Sequence, residues 1–165
     1  MSFFAKMLSA GMVLFCVYGQ AYAFETPEAV AKSFCEARVK GDDAAQRALF
    51  SPSLLRAVDE AEARNKLIAD ANPGEKPPFG DGIPFQGFQD HAPVCKPGKI
   101  TGRAGRMEIQ VSYDLPDFPG NGWSDRLVLV ENGKDFLVDD IKFAGLANSD
   151  VDLTLRRVLF EAFDQ

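Results

Sequence analysis

From residue 26 onward the apolar positions first recur at helical spacing and later alternate. In ETPEAVAKSFCEARVKGD, Val30, Phe34 and Ala37 stand at i, i+4 and i+7, one buried stripe of a helix. Thr26 is placed to cap it, Pro27 takes its first position, Glu28 lies in the first turn, and Gly41 stops it. Asp42 predicts a cap for a short second helix through Leu49. Ser51-Pro52 opens a third, in which Leu54, Leu55, Val58, Ala61 and Ile68 share a face until Asn72-Pro73-Gly74 ends it.

The next segment, NPGEKPPFGDGIPFQGFQDHAPVCKPG, is dense in Pro and Gly yet carries Phe79, Phe85 and Phe88, which a disordered linker lacks. It reads as an ordered loop or edge strand pinned at Cys95. Its phenylalanines either plug the open end of the core or belong to a functional loop. Beyond it the period becomes two. In RMEIQVSYD, Met107, Ile109, Val111 and Tyr113 alternate with polar neighbours, the mark of a half-buried strand. LPDFPGNG is a connection, and WSDRLVLVENGKDFLVDDIKF predicts two strands joined through Asn132-Gly133, a strong hairpin signal. A final helix is expected with Ser149 as cap, Asp152 three residues on, and Leu155, Val158, Leu159 and Ala162 inward. The order predicts an α+β domain, with N-terminal helices packed on a curved antiparallel sheet of at least three strands and a short C-terminal helix.

FLVDDIKF breaks the alternation. Phe136 and Val138 share one phase, Ile141 and Phe143 the other, and the switch falls on Asp139 and Asp140. A β-bulge there puts all four apolar residues on the core side and leaves both carboxylates near solvent. Without it, Asp139 turns inward as a lone buried charge, which costs several kcal/mol. The bulge is the better reading, and bulges often lie beside functional sites.

The first residues, MSFFAKMLSAGMVLFCVYGQAYAFETPE, add an export signal: one charge at Lys6, an apolar run from Met7 to Tyr18, then Ala21-Tyr22-Ala23. That is the pattern of a signal peptide over residues 1–23, cleaved after Ala23, and the run is too short to span a membrane. The product is expected to be periplasmic or secreted, with no stable membrane anchor. What remains, residues 24–165, is one domain of 142 residues. It keeps all 24 acidic residues and loses only Lys6 of 18 basic ones, so the net charge goes from −6 to −7. That balance argues against nucleic acid or anionic lipid as the main partner. Two cysteines stay, Cys35 and Cys95, an even count without a CxxC pattern in an oxidising compartment, hence a structural disulfide. The alternative is a thiol or metal ligand, but His91 and Cys95 are two groups, not a site.

Three segments together, EAVAKSF, PFQGFQD and FLVDDI, resemble the ketosteroid-isomerase-like (nuclear transport factor-like) cone-fold superfamily, in its exported bacterial branch of unknown function. Phe136 stands where that branch commonly has Trp. The resemblance implies a sheet curled around a helix, with a pocket at the open end. It implies no reaction, because the fold hosts enzymes and plain binders alike.

Isomerases of the fold use an acidic base and a Tyr or protonated acid inside an apolar cavity. Tyr113, Asp90, Asp114, Asp139 and Asp140 are the candidates of those types, and none aligns with a family catalytic position. His91 is the sole histidine, no G-x-S-x-G elbow exists, and no P-loop, dinucleotide fingerprint or metal spacing is present, so no metal or cofactor is expected. The expectation is therefore a binding protein, with an enzyme using an acidic residue in an apolar pocket as the alternative. Its partner is either a small ligand at a mouth lined by Phe85, Phe88, Tyr113 and Trp123, or a basic periplasmic protein, or a second copy through the sheet's outer face. Asp90, His91, Trp123, Asp139 and Asp140 are the candidate site residues.

Overall fold

Thr26 caps α1 (Pro27–Lys40) by accepting the Ala29 N–H, and Gly41 ends it at a left-handed φ of 64°. The computed structural model describes residues 26–88, 90–103, 105–143 and 153–164. The expected leader and its cleavage point lie outside these residues. Val30, Phe34 and Ala37 are buried, joined by Ala31 and Cys35. Asp42 caps α2 (Asp43–Arg47), which stops short of Leu49 because Leu49–Ser51 turn to run beside the sheet. Ser51 caps α3 (Pro52–Ala71), whose Leu54, Val58 and Ala61 are buried. Leu55 and Ile68 are only half-buried, and no residue of α3 beyond Ala61 is buried.

The sheet is an open antiparallel meander of four strands in chain order, β1 (Val94–Arg103), β2 (Arg106–Asp114), β3 (Trp123–Asn132) and β4 (Asp135–Phe143). β1 takes up the last residues of the Pro/Gly-rich segment. Its mostly exposed face, with Pro97, Gly98 and Gly102, offers no alternation to read. The β3–β4 turn is Gly133-Lys134, one residue later than Asn132-Gly133. Asn132 pairs with Asp135, and positive φ occurs at Gly133 alone, as in a turn with Gly first.

One face of the sheet forms the core. Ile109, Val111 and Tyr113 of β2, Leu127 and Leu129 of β3, and Val138, Ile141 and Phe143 of β4 pack with Val30, Phe34, Leu54 and Val58 of the helices. A disulfide between Cys35 and Cys95 ties α1 to β1 across 60 residues of sequence. The outer edge of β4 is covered twice. At one end Ser51 N–H donates to the Val138 carbonyl and Val138 N–H to the Leu49 carbonyl, and at the other Phe143 N–H donates to the Leu153 carbonyl. Helix α4 (Leu155–Glu161) follows, capped by Thr154 rather than Ser149; Ser149 and Asp152 lie outside the described residues. Its Leu155 and Leu159 are buried, while Val158 and Ala162 are half-buried. No helix among the described residues is long and apolar enough to cross a membrane.

Candidate functional site

The bulge is present, and it sorts the two aspartates differently from the expectation. Val128 pairs with Asp140 and Leu129 with Val138, so Asp139 is the extra residue. Val138, Ile141 and Phe143 are buried and Phe136 packs against them. Asp139 stays partly exposed, but Asp140 is buried rather than near solvent. The burial is tolerated because Asp140 Oδ1 accepts the backbone N–H groups of Ile141 at 2.9 Å and Arg156 at 3.1 Å. Asp139 Oδ1 accepts from Ser51 Oγ (2.6 Å), Ser53 Oγ (3.1 Å) and Arg156 Nη2 (2.8 Å), while its carbonyl accepts Arg156 Nε at 2.7 Å. Partial burial pushes the Asp139 carboxyl up. The Ser51 hydrogen bond, the Arg156 charge and the Ser53 hydrogen bond outweigh it, and the net shift is downward. These two carboxylates join β4 to the starts of α3 and α4.

The remaining candidates lie around the Pro/Gly-rich loop. Asp90 and His91 are exposed on it just before β1. Trp123, half-buried at the start of β3, stacks with Tyr113 (centroids 4.8 Å, planes 19° apart) and meets Phe88 in a tilted contact at 5.2 Å. Phe88 itself is 46% exposed. The five candidates therefore form two separate places, Asp90, His91 and Trp123 about the loop and Asp139 with Asp140 at the helix joint.

A groove of about 850 Å³ opens between this loop and the helices. Phe79, Ile83, Pro84, Phe85 and Phe88 supply its apolar surface, and Asp43, Glu62, Asp81 and Asp90 its carboxylates. Glu62 is paired with Arg47, and Asp81 with Lys76. Arg38, the cation lining the groove, is held by Gln46 Oε1 at 3.2 Å and Gln86 Oε1 at 2.9 Å.

Under the loop lies a polar cluster that the sequence reading passed over: Arg38, Gln46, Gln86 and Asp125, with Tyr113. Gln86 Nε2 clips the loop by donating to the carbonyls of Phe88 (2.9 Å) and Asp90 (2.6 Å). Asp125 is fully buried, and its Oδ2 accepts the Gly87 N–H at 2.7 Å. Burial pushes the Tyr113 phenol up strongly, the Asp125 charge adds to the rise, and Arg38 offsets a little of it. A signal existed for two of these residues. Asp125 shares the alternation phase of Leu127 and Leu129, and Arg38 continues the Val30–Phe34 stripe by one more turn. Gln46 and Gln86 sit in a one-turn helix and a loop, where no period operates.

Among the described residues no group of three or more His, Cys, Asp or Glu side chains could hold a metal ion. No protein-family model, curated protein or solved structure matches the chain.

Proposed function

We propose that this is an exported, single-domain binding protein of the cone-fold type, without catalysis of its own, that grips a periplasmic protein through the groove beside the 76–90 loop. The observation that carries the reading is the groove's surface: phenylalanines from one loop set among carboxylates from that loop and from α2 and α3. An apolar patch with a charged rim is the ordinary make-up of a protein contact. The leader pattern and the Cys35–Cys95 bond support export. The cone assignment rests on the EAVAKSF, PFQGFQD and FLVDDI segments.

An enzyme with an acidic residue in an apolar pocket has one observation in its favour, the buried Asp125 beside buried Tyr113. Against it, Asp125 already accepts from Gly87 and lies under the loop.

The test is capture by the tagged mature protein from envelope extract, run beside Phe88→Ala and an Asp43→Asn/Asp90→Asn variant. A stoichiometric protein retained by the parent and lost by both variants is the expected result. A partner held equally by all three removes the groove from the reading. A co-purifying small molecule in place of any protein removes the partner.

A further inference from the structure

Between α3 and α4 lies a cleft of about 200 Å³ that shares no residue with the groove beside the 76–90 loop. Ala57, Ala61, Leu159 and Phe160 give it an apolar wall, with Phe160 67% exposed, and Glu60, Arg64 and Arg156 are its charged groups. Glu60 and Arg64 stand one helical turn apart, in the order that favours an ion pair on a helix. Elsewhere the chain closes such pairs even in the less favourable order: Lys32 with Glu36, Lys66 with Asp70 and Arg157 with Glu161. Glu60 and Arg64 belong to no ion pair among the described residues. The Arg64 guanidinium lies instead over the Phe163 ring, 4.4 Å from its centroid. Arg156 is fixed as well. Its Nε donates to the Asp139 carbonyl and its Nη2 to the Asp139 carboxylate and Ser53 Oγ, while Nη1 makes no hydrogen bond.

With Arg156 balanced by Asp139, the cleft keeps one positive and one negative charge, Arg64 and Glu60, close together and unpaired beside an apolar wall. A matching molecule is neutral overall, bears a carboxylate and an ammonium on one carbon, and adds an apolar group. We propose that the α3–α4 cleft binds an α-amino acid with an apolar side chain. Arg64 and the unbonded Nη1 of Arg156 take its carboxylate, Glu60 takes its ammonium, and its side chain lies on Ala61, Leu159 and Phe160. The site is separate from the groove and does not depend on what the groove holds.

Isothermal titration of the mature protein with L-leucine, L-methionine and L-phenylalanine in turn, carried to millimolar concentration, is expected to give saturable binding of at least one. For that amino acid, its amide, which lacks the carboxylate, and its deaminated acid, which lacks the ammonium, bind about tenfold more weakly or worse, the scale of one charge-assisted bond. Arg64→Gln and Glu60→Gln, both at exposed positions, weaken the amino acid by a similar factor with far-UV circular dichroism unchanged. Glu60→Gln leaves the deaminated acid bound as before or more tightly. Phe88→Ala, in the groove, changes nothing. The proposal is overturned if none of the three amino acids binds, if the amide or the deaminated acid binds as well as the amino acid, or if either cleft variant binds like the parent. Loss of binding in Phe88→Ala overturns it too, since the amino acid then sits in the groove. Should a variant fail to fold, the comparison of the three ligand forms on the parent protein decides.

Discussion

Asp139 Oδ1 receives three side-chain hydrogen bonds at once, from Ser51, Ser53 and Arg156. Its loss takes the carboxylate partner from Arg156 Nη2 and an acceptor from the hydroxyl that also caps α3 through Leu54 N–H. Asp139→Ala is expected to lower stability by roughly 1–3 kcal/mol in urea unfolding, the scale of partners left unsatisfied. The pH dependence follows from the downward shift. The folded carboxyl holds its proton less tightly than the unfolded one, so its contribution is whole above the ordinary carboxylate range near pH ~4 and disappears as pH falls through the folded value. Asp139→Asn should therefore flatten the acid limb of the stability curve, and an unchanged limb would remove the residue from that role. Tyr113 works in the opposite direction. Its phenol is held protonated by burial and by Asp125, so stability is whole below the usual tyrosine value of ~10 and declines above it. From residue 24 onward it is the sole tyrosine, which lets phenolate absorbance be read without overlap. The phenolate band should grow together with loss of circular dichroism, and growth while the fold is intact would contradict the buried placement.

At the scale of elements, the caps were legible because each is a local bond: Thr26, Asp42 and Ser51 each accept an N–H three residues on. The bulge was legible because two adjacent aspartates interrupt a strict alternation. β1 was legible only as one of two alternatives, a loop or an edge strand pinned at Cys95, since an edge strand with Pro97 and Gly98 and little buried surface has no alternation to show. The disulfide joins that strand to α1 across 60 residues, and in a chain-entropy view its loss costs roughly 4 kcal/mol. Cys35→Ala/Cys95→Ala should show a fall of that order in the free energy of unfolding, with an unchanged midpoint excluding a stabilising role. At the β3–β4 turn, Gly133 has φ 67° and nothing within 4 Å of an added Cβ, so only the backbone matters. Gly133→Val should cost roughly 1–2 kcal/mol and Gly133→Asn distinctly less, by the ease with which each residue type adopts positive φ.

For the whole molecule, export predicts that protein recovered from the envelope begins at Phe24 on N-terminal sequencing; a start at Met1 in that fraction contradicts processing after Ala23. Periodicity, caps and turn residues, all properties of neighbours in the chain, already determined the α+β order and the inner face of α1, β2 and β3, and the cysteine count beyond residue 23 named the pair that forms the disulfide. Tertiary structure alone decided what the polar groups do. Asp139 and Asp140 became a joint because α3 and α4 start beside β4, and Arg38, Gln86 and Asp125 came together because the loop at residues 86–87 bonds to both α1 and β3. A repeat of two or 3.6 residues says which face a side chain takes, whereas a hydrogen bond between residues 38 and 86 depends on how whole elements stack, which no local spacing records.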